Sequence, residues 1–204
     1  VPGDPEFELF IKEVRKEMTV KSGQKCTAVR RVFVPRSQMD NVQEALTQAL
    51  SKAVMGDPQE EGVRMGALVH KEQKQDVLAK LDVLKSEAES VYAHPLELVG
   101  GEVVEDAFLG PQLLRNDNPL NAQHCHEVEA FGPVATLMPY DSLEEAIGLT
   151  KMGKGSLCCS LVSHNAEEAR AFVAGAATMH GRILVLDRAC AKESTGHGSP
   201  LPLL

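Results

Sequence analysis

The sequence predicts an α/β fold with three layers, in which a mostly parallel sheet is flanked by helices. Apolar residues at helical spacing alternate along the chain with short β-branched runs, which is typical of parallel sheets covered on both faces. The composition, 43% hydrophobic and 25% charged, is that of a globular protein. The 204 residues suffice for one large or two small domains, and the single-domain interpretation is favoured.

The first part of the chain predicts a helix, a strand and a second helix. The first helix follows Asp4–Pro5, and its apolar face comprises Phe7, Phe10, Ile11, Val14 and Met18. The β-branched run from Thr27 to Val34 predicts a strand closed by Pro35. Ser37 and Asp40 predict a capping box for the second helix, whose apolar residues are Met39, Val42, Leu46, Ala49, Leu50 and Ala53.

The middle of the chain predicts one long helix followed by loops. The helix is expected from about Lys71 to Tyr92, with its inward face formed by Val77, Leu78, Leu81 and Leu84. Residues 93–131 contain several Gly and Pro turns, so we expect loops there, with one short strand near Val99.

Alternation resumes after residue 133. The patterns predict a strand from Val134 to Tyr140, a helix capped by Ser142 and Glu145, and a buried strand from Leu157 to Val162. A helix through Phe172 and a strand from Ile183 to Leu186 are expected next. The segment from Ser194 to Pro202 predicts a loop. Since the chain starts without Met and ends on an apolar Leu pair, we expect a piece of a longer protein.

Charge and cysteine content exclude several classes of protein. The net charge of −8 argues against a partner that presents a phosphate backbone, so no nucleic-acid partner is expected. Apolar runs are too short to span a bilayer, and the start does not resemble a signal peptide. Five cysteines, an odd number, predict reduced thiols and a cytoplasmic location. The absence of a CxxC pair leaves a thiolate zinc site unsupported, so no metal is expected.

Cys26 is the thiol best placed for chemistry. It lies in a Gly-containing turn between a helix and a strand, where backbone N–H groups can converge as an oxyanion site requires. Four cations close in sequence could favour its thiolate: Lys21, Lys25, Arg30 and Arg31. From the spacing alone, a small buried core cysteine is the alternative.

Other candidates have simpler interpretations. The cluster His124–Cys125–His126–Glu127 is interpreted as a polar loop, because ligands at such spacing are sterically awkward for a metal. Cys158 and Cys159 are expected in a core strand, and Cys190 in a loop. Gly196–His197–Gly198 is a weak candidate for an anion cradle. Glu129, before the rigid turn Phe131–Gly132–Pro133, has a solvated loop acid as its alternative.

Four ordered blocks then establish a resemblance that covers essentially the whole chain. Gly23–Gln24–Lys25–Cys26–Thr27–Ala28 resembles the catalytic-cysteine motif of the aldehyde dehydrogenase superfamily. Gly56–Asp57–Pro58 with Gly66–Ala67–Leu68–Val69 and Gln73 resembles its middle block. Glu127–Val128–Glu129–Ala130–Phe131–Gly132–Pro133–Val134 resembles its E-x-F-G-P-V block. Gly155–Ser156–Leu157 and Gly181–Arg182–Ile183 resemble the approaches to two later strands.

The resemblance implies the catalytic domain of an NAD- or NADP-dependent dehydrogenase, extending over residues 1–204. Cys26 would be the nucleophile that forms a thiohemiacetal and then a thioester, and its own N–H one oxyanion donor. Glu129 would hold the nicotinamide ribose beside Phe131, and Gln73 would lie at another cofactor contact. Within the superfamily, the residues from Glu17 to Ala28 and from Ala191 to Pro202 most resemble the semialdehyde dehydrogenase part of the bifunctional ring-opening enzymes of bacterial phenylacetate degradation.

This resemblance implies a small aldehyde substrate linked to coenzyme A, and a homo-oligomeric full-length protein. The family's general-base glutamate, oxyanion asparagine and dinucleotide-binding domain have no match here, so we expect the isolated chain to be inactive. Asp187 stands where the family has Asn. Alternatives are a semialdehyde dehydrogenase of the benzoyl-CoA epoxidation pathway, a CoA-acylating dehydrogenase, and a non-enzymatic fragment or interaction module.

Overall fold

Residues 1–100, 105–194 and 196–197 are described in a computed structural model, and within them the chain forms six α-helices and eight strands. The helices are α1 Pro5–Thr19, α2 Met39–Leu50, α3 Lys71–Lys85, α4 His124–Glu127, α5 Leu143–Lys151 and α6 Ala166–Ala176. The strands are β1 Arg31–Pro35, β2 Met55–Gly56, β3 Glu89–Ala93, β4 Leu98–Val99, β5 Gln112–Arg115, β6 Val134–Tyr140, β7 Cys159–Val162 and β8 Ile183–Leu186.

The main sheet has four strands in the order β1-β6-β5-β3. The pairs β1–β6 and β6–β5 are parallel, and β3 adds to β5 as an antiparallel edge. Two further parallel pairs stand apart from it, β2 with β4 and β7 with β8. The predicted α/β class with a mostly parallel sheet is therefore confirmed, although the described strands are divided among three sheets.

Strand β6 carries the core on both of its faces. Ala135 and Leu137 point into a cluster with α1 and α2, whereas Val134 and Met138 point into a second cluster with α3 and α4. Because successive side chains of a strand face opposite sides, a strand buried on both faces is mostly apolar, as β6 is apart from the buried Thr136. Helices on both faces of the sheet give the three predicted layers.

The helix starts agree with the sequence in two of three cases. The Asp4 carboxylate accepts the N–H of Glu6 at 2.8 Å before α1, and the Ser142 hydroxyl accepts the N–H of Glu145 at 3.1 Å before α5. The predicted capping box of Ser37 and Asp40 is wrong. A 3₁₀ turn over Arg36–Gln38 leads into α2 instead, and no side chain caps that start.

The long helix predicted from Lys71 to Tyr92 ends at Lys85, where the Ser86 hydroxyl donates to the carbonyl of Val83 at 2.7 Å. The remainder forms β3, because pairing with β5 overrides a local pattern that also suits a helix. Leu78, expected to face inward, is 37% exposed.

Residues 93–131 contain more structure than the predicted loops. The short strand near Val99 is confirmed as β4, but β5 and the single turn α4 were not predicted. Strand β5 offers only two apolar residues, Leu113 and Leu114, which lie fully buried on opposite faces of the sheet.

Strand boundaries also shift. Residues 27–30, predicted as strand, form the turn that leads into β1, and Pro35 is the last residue of β1. The strand expected from Leu157 begins at Cys159 and is only partly buried, and Leu157 before it is 55% exposed. In the described segments, no helix has the length and apolar character that crossing a membrane requires.

Candidate active site

Cys26 lies in the segment of residues 20–29 between α1 and β1, which we call the Cys26 loop. Three consecutive residues there have left-handed backbone angles: Lys21 with φ 53°, Ser22 with φ 53° and Gly23 with φ 69°. Such angles are uncommon in residues with a side chain and cost about 1–2 kcal/mol each, so the surrounding contacts must hold them. Strain of this kind often marks a functional segment.

Two side chains hold the Cys26 loop against the segment before α3. The buried Ser22 hydroxyl donates to the Gly66 carbonyl at 2.6 Å. The side-chain amide oxygen of Gln24, Oε1, accepts the Val69 N–H at 2.9 Å. With the loop fixed at these two residues just before it, Cys26 projects an exposed thiol, and within the described residues its N–H has no acceptor. An exposed thiol beside a free N–H suits nucleophilic attack on a carbonyl.

Three of the four cations near Cys26 in sequence, Lys25, Arg30 and Arg31, have other partners in the structure. Lys25 forms an ion pair with Glu17, with 2.7 Å between Nζ and Oε2. Arg31 donates to the carbonyls of Leu149 and Thr150 at 3.0 and 3.1 Å and contacts His126. Burial lowers the pKa of the Arg31 guanidinium. The charged side chains of Lys25 and Arg31 therefore stabilise the structure around the Cys26 loop.

The segment of residues 128–133, which we call the Glu129 loop, joins α4 to β6 and passes over α3. Its Gly132 is buried against Val77, whose Cγ2 would lie 2.9 Å from a Cβ at that position. The Gln73 amide donates to the Phe131 carbonyl at 3.0 Å, while the Gln73 N–H is capped by His70. Glu129 extends into solvent with 58% of its side chain exposed. Three of the predicted site residues, Gln73, Glu129 and Phe131, therefore lie together.

Arg30 joins the two loops, and sequence reasoning assigned it only a general electrostatic role. Its guanidinium donates to the carbonyls of Gly23 and Lys25 at 2.8 and 3.4 Å, and to that of Gly132 at 2.8 Å. It also lies 5.4 Å from the centre of the Phe131 ring. No local pattern predicts the contacts with Gly132 and Phe131, because both residues are about one hundred positions away along the chain.

The charge of Arg30 is balanced by Glu129, at 3.5 Å from Nε to Oε1. The Arg30 side chain is 16% exposed, and this burial lowers the pKa of its guanidinium, whereas Glu129 and then Glu17 oppose that shift. An arginine stays protonated at neutral pH even when buried. The planar fork thus remains a permanent donor to both loops.

The other four cysteines lack the exposure or the setting of Cys26. Burial raises the pKa of Cys125, Cys158 and Cys159 to about 11 in each case. Cys158 precedes β7 and donates to the Thr27 carbonyl at 3.6 Å, so it supports the Cys26 loop from beneath. Cys190 is exposed in a turn, as expected.

The cluster of residues 124–127 is a helical turn rather than the polar loop that was predicted. Cys125 and His126 point into the core, and the His126 ring contacts the Pro119 carbonyl at 2.8 Å and the Arg31 guanidinium at 3.1 Å. Burial lowers the pKa of His126. Across the described residues, no group of three or more His, Cys, Asp or Glu side chains is arranged to hold a metal ion.

The chain after β8 folds back toward β7. The Ser160 hydroxyl and His197 Nε2 are 2.8 Å apart, and Arg182 donates to the His197 carbonyl. Gly198, the third residue of the weak anion-cradle candidate, lies outside the described residues. Asp187 accepts the Cys190 N–H at 2.8 Å, so this departure from the family pattern forms an ordinary turn contact.

Comparison with known proteins agrees with this arrangement. A family model described as the aldehyde dehydrogenase family matches residues 1–193. The 3,4-dehydroadipyl-CoA semialdehyde dehydrogenase of Aromatoleum evansii is 41% identical over 203 residues, which cover 98% of this chain and 39% of that protein. Protein MaoC of Klebsiella aerogenes is 47% identical over 143 residues, which cover 69% of this chain and 41% of that protein.

A solved structure shows the same fold. The betaine aldehyde dehydrogenase of Staphylococcus aureus, crystallised with NAD+, superimposes with a TM-score of 0.79 at 24% identity, over 90% of this chain and 36% of that one. The chain spans about two fifths of the length of the curated relatives it matches. From the match over residues 1–193, the chain belongs to the aldehyde dehydrogenase family.

Proposed function

We propose that the chain is the catalytic part of an NAD- or NADP-dependent dehydrogenase that oxidises a semialdehyde to the acid. The observation that carries this proposal is the exposed Cys26, held in a strained turn and tied through Arg30 to the loop of Glu129 and Phe131. An exposed nucleophilic thiol and a cofactor-binding carboxylate on adjoining loops are what aldehyde oxidation through a covalent adduct requires.

Cys26 acts first as a thiolate that attacks the carbonyl carbon. A C–S bond forms while the carbonyl π electrons move to oxygen, and the Cys26 N–H stabilises the resulting oxyanion. Loss of hydride from the same carbon gives a thioester on Cys26. Water then attacks the thioester carbonyl, the C–S bond breaks, and the thiol and the acid are released. The base that activates this water has no counterpart in the 204 residues.

The Glu129 loop carries a hydrogen-bond acceptor and an aromatic face, the kinds of group that bind a nicotinamide nucleotide. A bound NAD or NADP supplies the hydride acceptor, and its ribose hydroxyls are natural donors to the exposed carboxylate of Glu129. Phe131 offers a flat apolar face next to that carboxylate. Gln73 serves this site indirectly in our proposal, because its amide fixes the Phe131 carbonyl at 3.0 Å.

We assign the substrate as a semialdehyde linked to coenzyme A. The support is the relative from Aromatoleum evansii, whose name describes a CoA-linked semialdehyde, together with the motif resemblance to bacterial phenylacetate degradation. The benzoyl-CoA epoxidation pathway remains the alternative place for such an enzyme. A CoA-acylating reaction would differ only in the molecule that accepts the acyl group from Cys26, which would be coenzyme A instead of water.

We also propose that these residues are one domain of a longer, cytoplasmic, homo-oligomeric enzyme, and that the 204 residues alone are inactive. The relative from Aromatoleum evansii is more than twice as long, and the cofactor's nucleotide-binding half has no match in this chain. A non-enzymatic interaction module is the competing proposal, and it predicts no turnover for any length of the protein.

The test compares the full-length protein with two cysteine variants on a CoA-linked semialdehyde with NAD and with NADP. We expect Cys26→Ala to reduce turnover by at least about a thousandfold, as loss of a nucleophile does in other enzymes. Cys190→Ala, the matched exposed thiol, should keep wild-type turnover. Turnover in Cys26→Ala contradicts the mechanism. A product that is a new CoA thioester rather than the acid identifies the acylating reaction.

A further inference from the structure

We infer that Arg30 is a positioning residue for hydride transfer: it keeps the Cys26 loop in register with the Glu129 loop. This inference rests on the proposed function. Arg30 keeps the substrate carbon that is bonded to Cys26 within reach of a cofactor held by Glu129 and Phe131.

The first support is the distribution of the Arg30 hydrogen bonds. Two carbonyls of the Cys26 loop, those of Gly23 and Lys25, accept from one nitrogen of the fork at 2.8 and 3.4 Å. The carbonyl of Gly132, in the Glu129 loop, accepts from the other terminal nitrogen at 2.8 Å. Since the guanidinium is planar and rigid, the two loops cannot shift relative to each other without losing one of these bonds.

The second support is the contact with the groups proposed to hold the cofactor. The Nε of Arg30 is 3.5 Å from the Glu129 carboxylate, which is a long and exposed contact. The guanidinium carbon lies 5.4 Å from the centre of the Phe131 ring, within the range of a cation–π contact. A long ion pair in solvent contributes little to stability, so Glu129 can turn toward a ribose hydroxyl at small cost.

The third support is that the Cys26 loop has anchors of its own. Ser22 is bound to Gly66 and Gln24 to Val69, and neither bond involves Arg30. Removing the guanidinium therefore leaves a nucleophile on a folded loop while releasing the register between the loops. Misplacement of reacting groups by about 1 Å can cost about a hundredfold in rate.

Two reactions of the full-length protein, each followed over its first turnover, distinguish positioning of the two loops by Arg30 from a general role of Arg30 in stability. The first is cleavage of p-nitrophenyl acetate without cofactor, in which the Cys26 thiolate adds to the ester carbonyl and p-nitrophenolate leaves. The second is reduction of NAD or NADP by the aldehyde. Because each molecule with a working Cys26 contributes to both, the ratio of the two rates is independent of how much of a variant is folded.

We expect Arg30→Met to lower the ratio of cofactor reduction to ester cleavage by at least about tenfold relative to wild type. Arg30→Lys, which keeps the charge and one donor, should give an intermediate ratio. Arg36→Met is the matched control, because Arg36 pairs with Asp141 on an exposed surface away from both loops, and its ratio should equal that of wild type.

An unchanged ratio in Arg30→Met, with both rates falling together, would overturn the inference, since the residue would then only stabilise the fold. If Arg30→Met does not fold, Arg30→Lys decides the question. A wild-type ratio of cofactor reduction to ester cleavage in that variant contradicts the positioning role, and a reduced ratio supports it. Failure of the proposed function has a different signature, namely a wild-type protein that cleaves the ester but never reduces either cofactor.

Discussion

Gly23 and Gly132 lie backbone against backbone, so that a Cβ added to Gly23 would stand 2.3 Å from the Gly132 carbonyl oxygen. This contact brings the loop of the proposed nucleophile directly onto the loop of the proposed cofactor carboxylate. Gly23 also has a left-handed φ of 69°, which favours glycine independently of the contact. Two separate physical reasons therefore require glycine at this position.

Gly23→Ala should destabilise the protein by the sum of these two effects. The left-handed angle alone costs about 1–2 kcal/mol, and a backbone clash that forces the loops apart adds about 1–3 kcal/mol. Urea-induced unfolding measures the total. Gly62→Ala is the control, because its φ of 90° is also left-handed but nothing lies within 4 Å of its Cβ position. Equal losses in the free energy of unfolding for Gly23→Ala and Gly62→Ala would mean that the clash between the two loops adds no cost.

The five cysteines should divide into two classes toward iodoacetamide. A thiol with a pKa of about 11 is about one part in a thousand thiolate at pH 8, which applies to Cys125, Cys158 and Cys159. We therefore expect mass spectrometry after brief labelling to find Cys26 and Cys190 modified and the other three intact. Labelling in urea, where all five should react, is the control. Early modification of Cys158 would contradict its burial under the Thr27 carbonyl.

The same three thiols give the protein's stability a dependence on alkaline pH. Their pKa is raised on folding from 9.0 to about 11, so between these values the folded state holds protons that the unfolded chain has released. Their contribution is complete below pH 9 and is lost as the pH rises toward 11. The melting temperature should therefore fall over this interval. Replacing Cys158 with Ala should make that fall shallower, and an unchanged slope would show that its thiol does not titrate differently on folding.

Much of the fold was predictable because its helices and β6 carry regular apolar patterns. Leu46 and Leu50 in α2, and Leu137 and Met138 in β6, are each fully buried, as their spacing indicates. Most of strand β3 falls within the helix predicted from about Lys71 to Tyr92, and only pairing with β5 decides its conformation. Strand β5 itself is too short to give a periodic signal.

The site shows the same division between local and distant information. The turn around Cys26 is local, so glycine and the change from helix to strand predict it. Gly132 and Phe131 likewise form a rigid turn that is visible in the sequence. The role of Arg30 depends on joining nearby carbonyls to that of Gly132, about one hundred residues away, and backbone carbonyls carry no residue identity that sequence could reveal. Contacts of this kind need the folded structure.

Because β6 is buried on both faces, we expect it to be sensitive to the loss of side-chain atoms. Leu137 is fully buried between α1, α2 and the sheet, and truncation of such a side chain costs about 2–5 kcal/mol. Leu137→Ala should lower the free energy of unfolding by that amount in urea. Leu157→Ala removes the same atoms at a position that is 55% exposed, and its effect should stay within about 0.5 kcal/mol. Similar losses for both would contradict the packing of β6.

Glu129→Gln should separate cofactor binding from folding. The carboxylate is 58% exposed and its contact with Arg30 is 3.5 Å long, so its loss should change the free energy of unfolding by less than about 1 kcal/mol. In the full-length protein, a neutral amide in place of the carboxylate removes charge-assisted hydrogen bonds worth about 1.5–3 kcal/mol, so the KM for NAD or NADP should rise about tenfold or more. Glu144→Gln, at an exposed carboxylate in the first turn of α5, is the control and should leave that KM unchanged. If Glu129→Gln instead keeps its KM and melts well below wild type, the carboxylate serves the fold rather than the cofactor.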